Sequence, residues 1–115
     1  MNIESVKSLF RMFSSEEDPE KYAPVIELAM AEVEKMLLPD ADRNDSRLPF
    51  LCAAVANHRL CQINSSRDRT QITYAGRMLI DSPDSTMSFS QKLIRDYLEI
   101  CSDLIVPQTF TFAGI

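Results

Sequence analysis

Residues 48–61 read LPFLCAAVANHRLC, and this segment decides the fold. Its apolar side chains cover much of the circumference of a helix: Leu48, Leu51, Cys52, Val55, Ala56, Leu60 and, just beyond the segment, Ile63. A helix that is apolar on most sides is a buried helix. The segment therefore predicts a central core helix. We expect Asp45 or Ser46 to cap it and Pro49 to lie in its first turn, where no amide donor is needed.

Three amphipathic helices are predicted around this core helix. The first spans residues 2–13, and its apolar side chains are Ile3, Val6, Leu9, Phe10 and Phe13. The second begins near Pro24 and ends at Pro39, with a stripe of Tyr22, Val25, Ile26, Ala29, Val33, Met36 and Leu37. The last spans residues 83–105 and carries Phe89, Leu93, Tyr97, Cys101 and Leu104 on one face.

Two segments have the alternating pattern of extended chain instead. Ile72 and Tyr74 flank a threonine just before Gly76, so residues 70–80 predict a short β-hairpin or arm. Residues 107–115 read PQTFTFAGI, in which Phe110 and Phe112 alternate with threonines. This tail predicts a strand with one apolar face.

The expected fold class is therefore mainly α. We expect a compact bundle of about four helices with a short β-hairpin or arm and an extended C-terminal strand. The 115 residues make one domain of ordinary size. Within it, residues 1–20 are the N-terminal helix and an acidic linker, residues 21–105 are the core, and residues 106–115 are the extended aromatic tail.

Composition and charge narrow the function classes. The longest apolar stretch, residues 48–56, is about half the ~20 residues that a membrane span requires. The N-terminus lacks the basic-then-apolar pattern of a secretory signal, so we expect a cytoplasmic protein with no membrane partner. In that compartment Cys52, Cys61 and Cys101 are reduced, buried thiols.

The net charge of −5 disfavours nucleic-acid binding, which depends on neutralising phosphates. Arg67, Asp68 and Arg69 with Tyr74 are a weak signal for it. The charge is also unevenly spread, since residues 1–42 hold four bases and ten acids, whereas residues 43–77 hold six arginines and two acids. Such segments could pair between copies of the chain, and a solvated mixed surface is the alternative.

No combination of residues predicts catalysis or a cofactor. His58 is the one histidine, and we expect it at the boundary of the core. His58 and Cys61 could meet with Cys101 as a third ligand, but zinc needs a fourth. A cysteine nucleophile would depend on His58 alone as its base. Glu27, Glu32 and Glu34 are expected on a solvated helix face. We therefore expect no catalytic, metal or cofactor-binding residue.

The extended segments are the candidate interface. Their apolar side chains, at Ile72, Tyr74, Phe110, Phe112 and Ile115, would either pair with one another as a small sheet or add to a neighbouring subunit.

The order of these parts resembles the small head–tail connector, or adaptor, proteins of tailed bacteriophages and prophages. Three pieces, all within residues 22–115, carry the resemblance. They are the helix 22–38 followed by the small-residue helix 48–61, the arm TQITYAG at 70–76, and the long last helix with its aromatic end FTFAGI at 110–115. The three cysteines and residues 1–20 have no counterpart in it, which leaves the role of that N-terminal segment open.

The resemblance implies a structural virion protein without enzymatic activity. Such a protein forms a homo-oligomeric ring of about twelve-fold symmetry beneath the portal protein, at the head–tail junction. Its partners are itself, the portal protein, and a tail or second head-completion protein, while DNA only passes through the channel. The alternative is a small soluble helical regulator that binds another protein through its amphipathic helices.

If the tail is an interface strand, deleting residues 107–115 should weaken assembly and leave the helical fold unchanged. Native mass spectrometry measures the first effect and far-ultraviolet circular dichroism the second. A loss of helical signal in the deletion variant would place the tail in the core and contradict the prediction.

Overall fold

The computed structural model describes the backbone of residues 2–75 and 82–107, and the side chains of residues 2–65 and 87–107. This part of the chain forms four α-helices: α1 (Ile3–Ser14), α2 (Ala23–Met36), α3 (Leu48–Ala75) and α4 (Ser82–Ile100). A short 3-10 turn at Pro19–Tyr22 precedes α2. The expectation of a mainly helical protein of four helices is confirmed.

Helix α3 is the centre of the bundle, as predicted. Six consecutive residues, Leu51 to Ala56, are completely buried. A helix that packs on one side buries only a stripe, so a continuous buried run requires neighbours all round. Helices α1, α2 and α4 each pack against α3 and supply those neighbours.

The other helices place their apolar faces in the same core. Helix α1 contributes Val6 and Phe10, both fully buried. Helix α2 contributes the predicted stripe of Ile26, Ala29, Val33 and Met36. Ile94 of α4 completes the cluster together with the residues that follow α4, Cys101, Leu104 and Ile105. The predicted core covered residues 21–105 only, and the structure adds helix α1 to it.

Short polar side chains begin two of the helices. The Asn2 side chain accepts a hydrogen bond from the backbone N–H of Glu4 at 2.8 Å and caps α1. The Asp45 side chain accepts from the backbone N–H of Arg47 at 2.9 Å, just before α3. Asp45 therefore has the capping role predicted for it, because such a bond satisfies an amide that has no partner within the helix.

The predicted β-hairpin at residues 70–80 is wrong for residues 70–75, which are the last turns of α3. Residues 76–81 lie outside the described part of the chain. Extending an existing helix adds one hydrogen bond for each residue that is fixed, so a helix nucleated by its buried half continues readily. No glycine or proline interrupts residues 50–75, and the alternation of Ile72 and Tyr74 is too short to override that tendency.

The last helix ends at Ile100 and not near residue 105 as predicted. Residues 101–104 form turns, and Ile105 makes an isolated antiparallel bridge with Leu37. Two backbone hydrogen bonds hold this bridge, from Leu38 N–H to the Leu104 carbonyl at 3.0 Å and from Val106 N–H to the Met36 carbonyl at 2.8 Å. The predicted C-terminal strand covers residues 107–115, of which residues 108–115 lie outside the described part of the chain.

Because α3 is central, alanine substitutions at two leucines are expected to lower the free energy of unfolding by very different amounts. Leu51→Ala empties a fully buried site and is expected to lower the free energy of unfolding by about 2–5 kcal/mol. Leu28→Ala, on the outer face of α2 where Leu28 is 55% exposed, is expected to change it by less than about 0.5 kcal/mol. Urea denaturation of both variants measures the difference, and equal losses would contradict a core centred on α3.

Candidate protein-interaction surface

The five predicted interface residues divide between two parts of the chain. Ile72 and Tyr74 lie near the C-terminal end of α3. Phe110, Phe112 and Ile115 lie outside the described residues. Their role in an interface stays a prediction, and the described residues provide a different surface.

This surface is an open groove of about 510 Å³ between α1 and the start of α3. Serine and asparagine make up half of its lining residues, and Leu9, Pro49 and Phe50 are the apolar ones. The residues that line it are Asn2, Ser5, Ser8, Leu9, Arg43, Asn44, Asp45, Ser46, Pro49 and Phe50. A concave surface that combines apolar side chains with several polar groups is a candidate binding site.

An aromatic cluster supports Phe50, one of the apolar residues that line the groove. The Phe50 ring stacks on Tyr97 with ring centroids 5.6 Å apart, and Phe13 contacts the same tyrosine at 5.8 Å. Phe50 remains 37% exposed, so it joins the cluster on one side and faces the groove on the other. Sequence reasoning did not select Phe50. The available signal was its position about half a turn away from Leu48 and Cys52 on the helix.

Arg47 fixes the loop that forms the other side of the groove. Its guanidinium donates to both Asp45 carboxylate oxygens at 3.0 Å and to both Asp103 oxygens at 2.9 and 3.1 Å. It also donates to the Ile100 carbonyl at 3.0 Å. Ile100 is the last residue of α4, where carbonyl groups have no hydrogen-bond donor within the helix. One side chain thus ties the start of α3 to the end of α4.

These contacts change the acidity of the carboxylates. Side-chain and then backbone hydrogen bonds from Arg47 lower the pKa of Asp45 to about 2. The hydrogen bond from Arg47 likewise holds the pKa of Asp103 below its ordinary value. Both carboxylates therefore stay ionised at neutral pH, and the loop that lines the groove stays fixed.

The basic middle of the sequence pairs with acids of the same chain. Arg43 contacts Glu34 at 2.8 Å, and Arg59 pairs with Glu32. With Arg47, each of the three arginines of residues 43–65, where side chains are described, has an acidic partner within the subunit. The acidic N-terminal segment and the basic middle segment, which could pair between copies, contact each other within one copy through Arg43 and Arg59.

His58 lies inside the core, which corrects its expected place at the boundary. It is fully buried, and its Nδ1 is 2.9 Å from the Ser90 hydroxyl. That hydroxyl donates to the Met87 carbonyl at 2.8 Å. Ser90 is the reason for the difference: a polar partner on α4 lets a histidine be buried, since buried polar groups need hydrogen bonds.

The three thiols are buried, as expected from the sequence. Burial raises the pKa of Cys52 to about 12 and also raises the pKa of Cys61 and of Cys101. The thiolate that a nucleophile needs is therefore disfavoured at each position. Within the described residues, no group of three or more histidine, cysteine or acidic side chains is placed to hold a metal ion.

Comparison with known proteins gives no match to a family model, to a curated protein or to a solved structure. Among the described residues, no helix has both the length and the apolar composition needed to cross a bilayer.

The buried histidine predicts a pH-dependent stability. Burial, and next the charge of Arg59, lower the pKa of His58 below its ordinary 6.5. The unfolded chain then binds a proton more readily than the folded chain. The stability contribution is fully present above about pH 6.5 and is lost as the pH falls below it.

His58→Gln removes this titration and keeps a polar side chain near Ser90. Urea denaturation between about pH 7.5 and pH 5 should give a flatter stability profile for the variant than for the unmodified chain. Parallel profiles would contradict a buried, neutral His58.

Proposed function

We propose that the chain is a structural connector subunit of a tailed bacteriophage or prophage, which assembles as a ring beneath the portal and links capsid to tail. The structural observation that supports this proposal is the groove between α1 and α3. The second support is the resemblance of the sequence to head–tail connector proteins. A ring needs two different complementary patches on each subunit, one of which can be this groove.

The occupant of the groove is the tail, residues 107–115, of the neighbouring copy. The tail alternates Phe110 and Phe112 with threonines and so has one apolar and one polar side in extended form. The groove offers Leu9 and Phe50 to the aromatic rings and serine and asparagine side chains to the threonines and the backbone. This match in chemistry connects the predicted interface residues with the surface that the described residues form.

The groove is held in shape before anything binds. The Arg47 contacts fix its loop, and stacking on Tyr97 fixes Phe50. A site that is already ordered loses less conformational entropy on binding than a mobile one. A rigid docking site suits a subunit whose task is to hold its neighbours in one geometry.

The charged residues fit a channel through which DNA passes without being held. Arg43, Arg47 and Arg59 are paired with acids of their own chain. Such paired bases are less available to phosphates, whose neutralisation dominates affinity for DNA. The proposed partners are therefore proteins: further copies of the chain, the portal, and a tail or second head-completion protein.

Filling the groove should prevent assembly. Ser8→Arg places a long charged side chain in the groove from an exposed position on α1. Ala31→Arg, from an exposed position on the outer face of α2, is the matched control. Native mass spectrometry of each variant mixed with the portal protein of the same phage or prophage should show at least about a tenfold weaker assembly for Ser8→Arg only.

Combining Ser8→Arg with deletion of residues 107–115 tests whether groove and tail form one contact. If they do, the double variant is no weaker than either single variant, because both remove the same interaction. Additive losses would contradict the tail as occupant. A strict monomer that ignores the portal would contradict the connector function and favour a helical regulator of another protein.

A further inference from the structure

Helix α4 carries a second apolar surface, away from the groove. Phe89 is 60% exposed and Ile100 is 48% exposed, with Leu93 half-buried between them. At 3.6 residues per turn these three positions fall within about 40° of one another around the helix axis. They form one row along the helix, which we call the α4 stripe. Its two outer members are exposed, and Leu93 is partly buried and packs against the edge of the core.

Exposed charges lie along one side of the stripe. Lys92 and Glu99 flank it, and Asp96 lies between Leu93 and Ile100 within the row. Residues 89, 93, 96 and 100 follow the spacing of core positions in a coiled coil, and Lys92 and Glu99 are then the flanking positions. Among the described residues, none of these three charged side chains has an ion-pair partner within 4.0 Å.

We propose that the α4 stripe binds the α4 stripe of a second copy of this chain, with the two helices antiparallel. In that arrangement Phe89 lies opposite Ile100 of the partner subunit, and Leu93 lies opposite Asp96 of the partner subunit. The two-fold axis repeats each contact, so four exposed apolar side chains are covered together.

Charge complementarity selects the antiparallel direction. Antiparallel pairing places Lys92 next to Glu99 of the partner subunit, and the symmetry makes this pair twice. Parallel pairing would instead place Lys92 beside Tyr97 of the partner subunit and on the opposite side of the interface from Lys92 of the partner subunit, so the Lys92–Glu99 pair would be lost. Only the antiparallel direction pairs these opposite charges, and flanking charges set partner orientation in helix pairs.

Asp96 is the polar member of the row and has a place in the same arrangement. It faces the side on which Lys92 of the partner subunit lies. A polar residue at one core position reduces the stability of a helix pair and restricts its register and direction. The small apolar area also limits the stability of the dimer, so the dimer is weak and forms only at high concentration.

This dimer goes beyond the connector proposal and does not depend on it. Subunits of a polar ring are related by heterologous contacts, whereas the α4 pair is isologous. The dimer is therefore a separate state of the free chain. A chain that fails to bind the portal can still dimerise through α4, and a chain that does not dimerise can still form the ring.

Charge reversal tests the pairing directly, with sedimentation velocity of the full chain as the readout. Lys92→Glu should weaken dimerisation at least about tenfold, because it places two acids together at both ends of the interface. Arg95→Glu makes the same change in net charge about 130° away from the stripe and should leave dimerisation unchanged. Both residues are exposed, so circular dichroism should show the same helix content in both variants.

Two further experiments restore opposite charges across the interface and are decisive. The double variant Lys92→Glu, Glu99→Lys regains opposite charges and should dimerise more tightly than Lys92→Glu alone. A mixture of the Lys92→Glu chain and the Glu99→Lys chain should form heterodimers in preference to either homodimer. A chain that stays monomeric at about 1 mM, equal effects of Lys92→Glu and Arg95→Glu, or no recovery in the double variant would each overturn the proposal.

Discussion

The burial of α3 on all sides is the constraint on which the rest of the structure depends. The run from Leu51 to Ala56 has no exposed residue, so α1, α2 and α4 must each pack on a different side of it. The alanines of this run allow close approach, and hydrophobic burial along it supplies most of the driving force for the fold. Because α3 is fixed, its first turn and the loop before it have fixed positions too, and these carry the groove and Phe50.

Charged groups mainly hold the subunit together, while the exposed apolar groups are left for binding. Arg47 joins the start of α3 to the end of α4, and Arg43 and Arg59 join α2 to the chain that follows it. Exposed pairs of this kind contribute little individually to stability, but Arg47 makes contacts to two carboxylates and a carbonyl at once. The partly exposed rings of Phe50 and Phe89 are therefore the stronger indications of protein contacts.

Periodicity predicted α1 and α2, whose buried positions repeat at helical spacing. The central place of α3 was predicted because its apolar residues cover much of the helix circumference. Periodicity failed where a non-local contact decides the outcome. The end of α4 depends on Arg47, more than fifty residues away in sequence, and the burial of His58 depends on Ser90. The short alternation at Ile72 and Tyr74 resembled a strand, but helix propagation from the buried half of α3 was stronger. The groove could not be predicted, since it combines α1 with a loop that only the folded chain brings together.

Amide hydrogen exchange, measured on the free chain and on the chain saturated with portal protein, tests both the central place of α3 and the role of the groove. We expect the slowest amides to belong to residues 51–61 in both samples, because only global unfolding exposes them. We also expect residues 2–9 and 43–50, on the two sides of the groove, to gain protection in the assembled sample. Slowest exchange outside α3 would contradict the central place of that helix, and new protection on the outer face of α2 in place of the groove would contradict the docking site.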